Sequence, residues 1–442
     1  MALISVIYRS DEGVRPNSNM QYQHTLAFAQ QMDTNDPLKS FRSQFIIPSK
    51  DGKEQVYFLG NSLGLQPKRT NAYIQQIMND WASLGVESFF HAPEPWMDYH
   101  DKLTATLSTV VGCLPHEVSV MNNLSVNLHL MLVSFYRPEG KRFKILCEAK
   151  AFPSDQYMME THVKHHGYNP DEAIIEIKPR AGEHTIRNED VLQLIVENKN
   201  ELALVLLGGI NYYTGQVFDM QTITQLAQQA GAKVGFDLAH AAGNIELQLH
   251  NWHADFACWC SYKYLNSGPG AVGAVYIHER YHKDKTMIRF AGWWGYEKAT
   301  RFKMEKGFKP IASAEGWQLS TPAMLMMASH RAALDVVKEA GWENINQKRK
   351  LLTSYLWYVL DEVNNSQSKP IIEFITPRSE NEHGCQVSMN MLERGKEIYN
   401  ALMAEGFFVD WREPSVIRLA PVPLYNTFEE VWKFGDYLKS IL

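Results

Sequence analysis

Seven short apolar runs, with helical stretches between several of them, dominate the middle of the chain. The runs are HEVSVM, FKILCEA, AIIEIK, LALVLLGG, KVGFDLA, DFACWC and GAVYIH, between residues 116 and 278. Apolar residues recur at helical spacing in 124–136, 153–166, 188–199 and 220–231. Strands that are apolar on both faces and separated by helices are typical of a parallel sheet covered on both sides. The pattern therefore predicts an α/β fold with a mainly parallel seven-stranded sheet, and ligands beyond the carboxyl ends of its strands.

The pattern changes after about residue 310. Two long helical stretches near 321–340 and 345–364 precede IIEFIT, CQVSMNM, a helix near 394–405, FFVDW, VIRLA and a last helix from about 427. Short strands mixed with helices in this order predict a smaller α+β domain. We expect an N-terminal segment (1–50) packed on the small domain, a large domain (51–310) and the small C-terminal domain (311–442).

Composition narrows the classes of partner. The 442 residues carry 43 basic and 49 acidic side chains, which give a formal net charge of −6. Phosphate contacts need clustered Lys and Arg, so neither nucleic acid nor an anionic membrane is expected as the main partner. No apolar run approaches the roughly 20 residues that a spanning helix needs. The N-terminus is too short and too soon charged for a convincing signal peptide.

The cysteines favour a cytoplasmic protein. The chain has five of them, Cys113, Cys147, Cys258, Cys260 and Cys385. FACWC lacks the CxxC spacing of a zinc or redox site, so we expect no metal and interpret the cysteines as small buried hydrophobes in a reducing compartment. Aromatic residues make up 12% of the chain, with 11 Trp, which hints at a site built from flat side chains.

The glycines of GPGAVG imitate a dinucleotide-binding motif. Gly268, Gly270 and Gly273 fit GxGxxG, but that motif must lie between a strand and a helix. The segment that follows, AVGAVYIH, has the pattern of a strand, and Pro269 lies inside the loop. We therefore expect no nicotinamide or flavin site here.

A stronger candidate site lies in 232–268. Asp237 ends one apolar run, His240 follows three residues later, and Lys263 comes just after the next run. An acid and a lysine in these places would face one crevice. Pyridoxal phosphate needs such a pair, because a lysine must form the Schiff base and a carboxylate must keep the ring nitrogen protonated. An exposed lysine with a structural aspartate explains these two residues equally well.

Other positions favour the cofactor. Asn122, Asn123 and Ser125 lie where a strand gives way to a helix, and such a helix start favours an anion such as a phosphate; an ordinary N-cap is the alternative. Phe152 could stack on a pyridine ring or belong to the core. Arg418 in VIRLAPVP could clamp a substrate carboxylate or form a salt bridge at the rim.

Several motifs together closely resemble the kynureninase family. They are YFLGNSLGLQP, NLSVNLHLML, AKAFPSDQY, NYYTGQ, GFDLAHAAGN, DFACWCSYKYLNSGPG, TRFKM and IRLAPVPLYN. The resemblance runs from about residue 40 to the C-terminus. SYKYLN alone would indicate only the wider class of aminotransferase-like pyridoxal phosphate enzymes, and the combination is far more specific.

The resemblance implies a fold type I enzyme that uses pyridoxal 5'-phosphate (PLP) bound in the large domain, and a homodimer with its sites at the subunit interface. Lys263 would hold the cofactor as a Schiff base, Asp237 would pair with the pyridine nitrogen, and Tyr262 would lie at the phosphate. The implied cofactor site comprises Leu124, Ser125, Phe152, Pro153, Ser154, Asp155, Gly208, Asp237, His240, Tyr262, Lys263, Trp293 and Thr321. The implied substrate site comprises Ser62, Phe89 and Arg418. Lys263, Tyr262 and Asp237 would carry the catalysis.

Three positions depart from the family pattern. Gly208 stands where some relatives carry a serine. Phe89 takes the place at which animal relatives have a histidine near the substrate ring, with His91 two residues away, and Thr321 stands where those relatives have asparagine. The last two choices are more bacterial than animal in character and leave the preference between kynurenine and its 3-hydroxy form open, with kynurenine favoured.

The implied reaction is hydrolysis of the Cβ–Cγ bond of L-kynurenine to anthranilate and L-alanine, in tryptophan degradation or NAD biosynthesis. Three alternatives stay open on the sequence. A cysteine desulfurase or selenocysteine lyase would need a mobile nucleophilic cysteine, for which Cys385 is the only candidate. An aminotransferase would need a 2-oxo acid acceptor. A non-catalytic interaction protein on this fold would tolerate loss of Lys263 or Asp237, and both are present.

Overall fold

The computed structural model of the protein describes residues 21–442. Residues 1–20 of the predicted N-terminal segment lie outside the described residues. The α-helices are α1 (Leu26–Asn35), α2 (Thr70–Leu84), α3 (Ser88–His91), α4 (Asp101–Val111), α5 (Leu124–Phe135), α6 (Pro153–His165), α7 (Pro170–Ala173), α8 (Asn188–Glu197), α9 (Met220–Gln229), α10 (Leu249–Trp252), α11 (Met324–Ala340), α12 (Trp342–Asn365), α13 (Gly395–Glu405) and α14 (Phe428–Ile441).

The strands are short and fall into two main sheets. They are β1 (Ser49–Lys50), β2 (Lys53–Glu54), β3 (Val56–Tyr57), β4 (Val118–Val120), β5 (Lys144–Glu148), β6 (Ile174–Ile177), β7 (Leu202–Gly208), β8 (Lys233–Asp237), β9 (Phe256–Trp259), β10 (Ala274–Ile277), β11 (Ile372–Phe374), β12 (Val387–Met391), β13 (Phe407–Phe408), β14 (Asp410–Arg412) and β15 (Val416–Leu419).

The larger sheet has seven strands in the order β4-β10-β9-β8-β7-β5-β6. The five strands from β9 to β6 are parallel, and β10 runs antiparallel to both of its neighbours. Strands β7 to β10 are buried almost throughout, as expected for a sheet with helices on both faces. Each of the seven apolar runs forms one strand of this sheet, so the predicted α/β fold is confirmed.

The C-terminal part contains a separate four-stranded antiparallel sheet in the order β11-β12-β15-β14. Helices α12 and α14 pack together and share an apolar core with this sheet. Helix α1 also packs on α14, where the Asp33 carboxylate accepts the backbone N–H groups of Phe428 and Glu429 at 2.8 and 2.9 Å. The boundaries of the three predicted parts stay a prediction.

Two local features differ from the sequence pattern. Helix α12 continues through Asn365, so the polar stretch NNSQSK begins inside the helix. The glycines of GPGAVG lead into strand β10, and the Gly273 N–H donates to the Asn122 carbonyl at 2.7 Å. A helix does not follow this loop, which agrees with the expectation that it is no dinucleotide site. Within residues 21–442, no helix combines the length and the apolar character needed to cross a membrane.

Candidate active site

A cavity of about 680 Å³ opens beyond the carboxyl ends of β5, β7 and β8, where it also meets the four-stranded sheet. This is the edge at which parallel α/β sheets bind ligands. Most of the predicted site residues line it. They are Ser62, Leu124, Ser125, Phe152, Ser154, Asp155, Gly208, Asp237, His240, Tyr262, Lys263 and Arg418.

Lys263 lies in the loop after β9 and points into this cavity beside His240, in the loop after β8. The Lys263 amine and His240 Nε2 are 3.0 Å apart. Burial, together with the positive charge of Lys263, lowers the pKa of His240 well below its usual value, so the ring is neutral. Its Nδ1 is buried and has no partner within the described residues. A neutral imidazole leaves the lysine as the basic group at this point.

Two buried carboxyl groups share the floor of the cavity. Asp237 ends β8, and Asp155 lies in the first turn of α6. Burial raises the pKa of both groups, and the pKa of Asp155 rises further because it is next to Asp237. Asp237 Oδ1 accepts the Ala239 N–H at 2.7 Å, which holds the carboxyl in place. Among the described residues, no cation is in direct contact with the pair, so a cationic group of a ligand would stabilise it.

Glu148 is a third buried acid in the cavity, which the sequence analysis missed. Both of its oxygens accept the Gly208 N–H, at 3.1 and 3.2 Å. Burial raises its pKa to about 7, and the Asp237 charge adds to this. A Cβ on Gly208 would lie 2.9 Å from Glu148 Oε1. The predicted departure from serine at position 208 therefore leaves room for this carboxyl group.

The start of α5 borders the cavity with unpaired backbone N–H groups. Asn123 caps the helix by accepting the Val126 N–H at 3.1 Å, and Leu124 and Ser125 form its first turn. The positive end of the helix dipole and these donors suit a phosphate group. The sequence prediction of a helix start at this point is confirmed by the bounds of α5.

Helix α6 begins with Pro153 at its first position, where a missing N–H costs nothing. Phe152, just before it, is 44% exposed, and its ring meets Tyr212 edge to face with centroids 5.4 Å apart. The ring face is therefore free to stack on a flat ligand. Tyr262, on another wall, has its pKa raised by burial, which keeps the phenol protonated and able to donate.

Arg418 is buried on β15 and held before any ligand arrives. Its Nε donates to Asp410 Oδ2 at 2.5 Å, and its guanidinium also donates to the Tyr212 carbonyl. Arg412 donates to the same Asp410 oxygen at 2.9 Å and lines the cavity beside it. This fixed, buried arginine can bind a carboxylate, and it lies at the border between the two sheets.

Four predicted site residues do not line this cavity within the one chain. Pro153 contributes only the helix start. The Phe89 ring packs against Trp96 and Trp294, with centroids 5.3 and 6.1 Å away. Trp293, 42% exposed, and Thr321, also exposed, face solvent. Their roles stay predictions.

Other residues of the cavity were not predicted as site residues. They are Asn61, Val126, Glu148, Ile210, Tyr212, Ala239 and Arg412. Asn123, which the sequence analysis placed at the helix start with Ser125, also lines the cavity. Glu148 and Ile210 end or follow apolar runs, so the rule that ligands lie past strand ends could have found them. Arg412 had no such signal, because its place depends on how β14 pairs with β15.

The cysteines stay away from the chemistry. Among the described residues, no cysteine lines the cavity, and all five are free thiols. Cys385 is buried, and burial raises its pKa to about 12. A thiol in that state is a poor nucleophile, which disfavours the desulfurase alternative.

Comparison with solved structures supports the fold. An apo cysteine desulfurase from Thermococcus onnurineus NA1 superposes with a TM-score of 0.71 at 17% identity, over 93% of this chain and 97% of that one. A C-DES variant with glycine covalently linked to the PLP cofactor gives 0.74 at 18% identity, over 90% and 98%. At these identities the likeness shows the fold alone, which is that of fold type I PLP enzymes, as predicted.

Comparison with known sequences is more specific. The family profile described as "Kynureninase C-terminal domain" matches residues 345–438. A kynureninase of Flavobacterium johnsoniae is 54% identical over 95% of this chain and 99% of its own length. A kynureninase of Myxococcus xanthus is 48% identical over 95% and 98%. With such identity across nearly the full length of both proteins, the chain belongs to the kynureninase family.

Proposed function

We propose that this chain is a kynureninase, a PLP-dependent hydrolase that splits the Cβ–Cγ bond of L-kynurenine to anthranilate and L-alanine. The observation that carries the proposal is one cavity in which a lysine, a buried acid pair and a buried arginine converge, in a chain of this family. We extend the activity to 3-hydroxy-L-kynurenine, and place it in the cytoplasm in tryptophan catabolism or NAD biosynthesis.

The residues of the cavity fit PLP. The buried acids Asp155 and Asp237 lack a cationic partner, and a protonated pyridine nitrogen would supply one. His240 Nδ1 is a buried polar atom without a partner. The start of α5 offers backbone donors for a phosphate. These features match the charged ends of one cofactor rather than three unrelated ligands.

Each wall has a distinct task in holding the cofactor. Lys263 would bond to its aldehyde carbon, Asp237 would hold the ring nitrogen, and Asp155 would keep Asp237 in position. Phe152 would cover the ring face. Leu124, Ser125 and Tyr262 would hold the phosphate. When bound, PLP supplies a protonated ring that withdraws electrons from the substrate carbon attached to it.

The other residues act on the substrate. Arg418 binds the amino-acid carboxylate and so fixes the Cα–H bond toward Lys263, whose amine takes that proton. Neutral His240 accepts a hydrogen bond from the lysine without competing for the charge. Water adds at the γ-carbonyl carbon, the Cβ–Cγ bond breaks, and Cβ gains a proton to give L-alanine. The protonated phenol of Tyr262, or Lys263, is the acid for these last steps.

The unexplained aromatic residues lead us to propose a homodimer. Trp293 and Phe302 meet with ring centroids 5.5 Å apart, Phe302 meets Phe90 at 6.0 Å, and all three rings are more than 40% exposed. Exposed clusters of this kind are typical of protein interfaces. We propose that a second copy covers this surface, and that Trp293 and Thr321 complete the phosphate site of that copy.

The experiment is a fluorescence assay for anthranilate after L-kynurenine is added to the PLP-loaded protein. We expect product from the wild type and from Lys199→Ala, which removes an exposed lysine that precedes the amino end of β7, whereas the cavity lies beyond the carboxyl end of this strand. Lys263→Ala should lose turnover by at least roughly 100-fold, the smaller end of what a positioned acid–base group contributes. A colourless protein that binds no PLP, or normal turnover by Lys263→Ala, would refute the proposal.

A further inference from the structure

A second cavity, of about 490 Å³, lies between the helices of the seven-stranded sheet and the C-terminal part of the chain. We call it the junction cavity. One side is formed by the start of α9, the Ile245–Glu246 segment and Trp252, and the other by Arg349 and Lys350 of α12 with residues 380–383. It shares no lining residue with the candidate active site.

Arg349 gives this cavity its chemistry. The residue is only 5% exposed, and its Nε and Nη1 are buried without a hydrogen-bond partner among residues 21–442. The nearby carboxylates Glu246 and Glu380 face Lys350 instead, at 3.3 and 3.9 Å from its amine. Burial lowers the pKa of the Arg349 guanidinium by more than the nearby charges of Glu246 and Glu380 raise it. A buried charge without a partner is costly, so a bound anion would be strongly favoured.

The other charges decide what kind of anion can enter. Four carboxylates line the same cavity, Asp219, Glu246, Glu380 and Glu382. They repel a dianion such as phosphate, whereas they favour a cationic group a few ångströms from the guanidinium. A carboxylate joined to an ammonium group satisfies both sets of charges.

The remaining walls are apolar and aromatic. Phe218 and Ile245 are buried side chains of the cavity, and the Trp252 indole is half-buried beside them. Such a surface favours a ligand with an aliphatic or aromatic side chain, because burial of apolar surface stabilises the complex. The cavity volume exceeds the lower range of small-molecule sites, about 300 Å³.

We propose that the junction cavity is a binding site for a small apolar α-amino acid. Its carboxylate would pair with Arg349, and its ammonium group would face the four carboxylates that line the cavity. Its side chain would lie against Ile245 and Trp252. The site is separate from the cavity in which Arg418 takes the substrate, and its existence does not depend on which reaction the chain catalyses.

The test uses the PLP-loaded protein after borohydride reduction, which ties the cofactor to its lysine and prevents amino acids from bonding to it. Binding of L-leucine is then measured by titration calorimetry in the wild type, Arg349→Met and Arg418→Met. We expect saturable binding in the wild type and in Arg418→Met, weakened at least tenfold in Arg349→Met. Acetate should bind more weakly than leucine, and inorganic phosphate should not bind.

Two further variants keep the test decisive. Arg349→Lys serves as the substitute if Arg349→Met fails to fold. It keeps the positive charge but not the planar guanidinium, so it should bind leucine more weakly than the wild type. Trp252→Ala should weaken the binding of leucine more than the binding of glycine. The proposal is overturned if leucine does not bind, if Arg349→Met binds it as well as the wild type, or if phosphate binds in its place. Kynurenine cleavage by Arg349→Met reports on the proposed activity separately.

Discussion

The active-site cavity and the junction cavity each keep a buried charge that the described chain does not neutralise, but the charges have opposite sign. In the first, Asp155 and Asp237 are buried together without a cation. In the second, Arg349 is buried with no hydrogen-bond partner for its Nε or Nη1, although Glu246 and Glu380 lie nearby. A ligand of the opposite charge removes the cost of burial in either place. An uncompensated buried charge therefore indicates the charge of the ligand as well as the position of the site.

The two buried arginines sharpen this contrast. Arg418 is tied to Asp410 and to the Tyr212 carbonyl, so it is positioned before a substrate enters. Arg349 lacks any such contact for its Nε and Nη1. An arginine that is already paired with a carboxylate attracts a ligand less strongly, but its side chain is held in one position, which catalysis needs. An unpaired arginine keeps the attraction, which suits binding without chemistry.

The largest effect should separate the two arginines by activity. Arg418→Met removes the arginine that pairs with the substrate carboxylate. We expect kcat/KM for kynurenine to fall roughly 30- to 4,000-fold, which corresponds to a loss of about 2–5 kcal/mol in transition-state stabilisation. Arg349→Met, the matched control, should leave kcat/KM within about twofold. Equal losses in both variants would mean that the two cavities are not functionally distinct.

The buried acids of the active-site cavity should make the stability of the protein depend on pH. Glu148 has an ordinary pKa of 4.5, raised to about 7 by burial. The folded protein therefore holds a proton between those values that the unfolded chain releases, and the free energy of unfolding falls as pH rises through this window. Glu148→Gln cannot lose that proton. At about 1.4 kcal/mol per unit, it should be more stable than the wild type by about 3 kcal/mol at pH 8 and equal to it below pH 4.5.

The measurement is chemical denaturation of the PLP-free protein at several pH values, because PLP would add a positive charge near Asp237. Asp155 and Asp237 titrate in both proteins, so the difference reports Glu148 together with its electrostatic coupling to these two acids. Parallel pH dependences in the wild type and Glu148→Gln would show that Glu148 is ionised in the folded state. The catalytic cavity would then carry more negative charge than its geometry indicates.

The sheet could be predicted because the sequence carries its signal locally. LALVLLGG and KVGFDLA are apolar on both faces, and only a strand covered on both sides buries such residues fully. The order β4-β10-β9-β8-β7-β5-β6 had no local signal, since it depends on how distant strands pair. Helices α3, α7 and α10, each only four residues long, were not predicted because an apolar pattern cannot repeat within so short a segment.

The site was predictable where a residue follows a strand. Asp237 and Lys263 could be found from strand ends alone, but their meaning needed the resemblance to kynureninases. Arg412 reaches the cavity only through pairing within the small sheet, and Arg349 through the packing of α12 on the large domain, so neither had a signal in the sequence. The roles of Trp293 and Thr321 could not be derived from one chain, because they depend on the homodimer that we propose.

The close packing of Glu148 against Gly208 in the active-site cavity can be tested by adding a methyl group at position 208. A Cβ there would lie 2.9 Å from Glu148 Oε1 and 3.2 Å from the Ile210 carbonyl. Gly208→Ala should therefore lower the free energy of unfolding by about 1–2 kcal/mol, through displacement of a buried, hydrogen-bonded carboxyl group. Denaturant unfolding of the single variants and of Gly208→Ala/Glu148→Ala checks this. Losses that add without interaction would show that the two residues do not share this space.

The smallest effect distinguishes the arginines by stability. Arg349→Met replaces an unpaired buried charge with an apolar side chain of similar length, so the free energy of unfolding should stay constant or rise by about 1 kcal/mol. Arg418→Met should lower it, because Asp410 then keeps only Arg412 as a partner. Thermal unfolding of the wild type and both variants, each PLP-loaded and reduced with borohydride, measures the sign of each stability change with and without L-leucine. If Arg349→Met is destabilised as much as Arg418→Met, then Arg349 has a structural partner in solution and the contrast between the cavities fails. If leucine raises the Tm of the wild type but not of Arg349→Met, the unpaired charge is the binding determinant, because a ligand stabilises only the state that binds it.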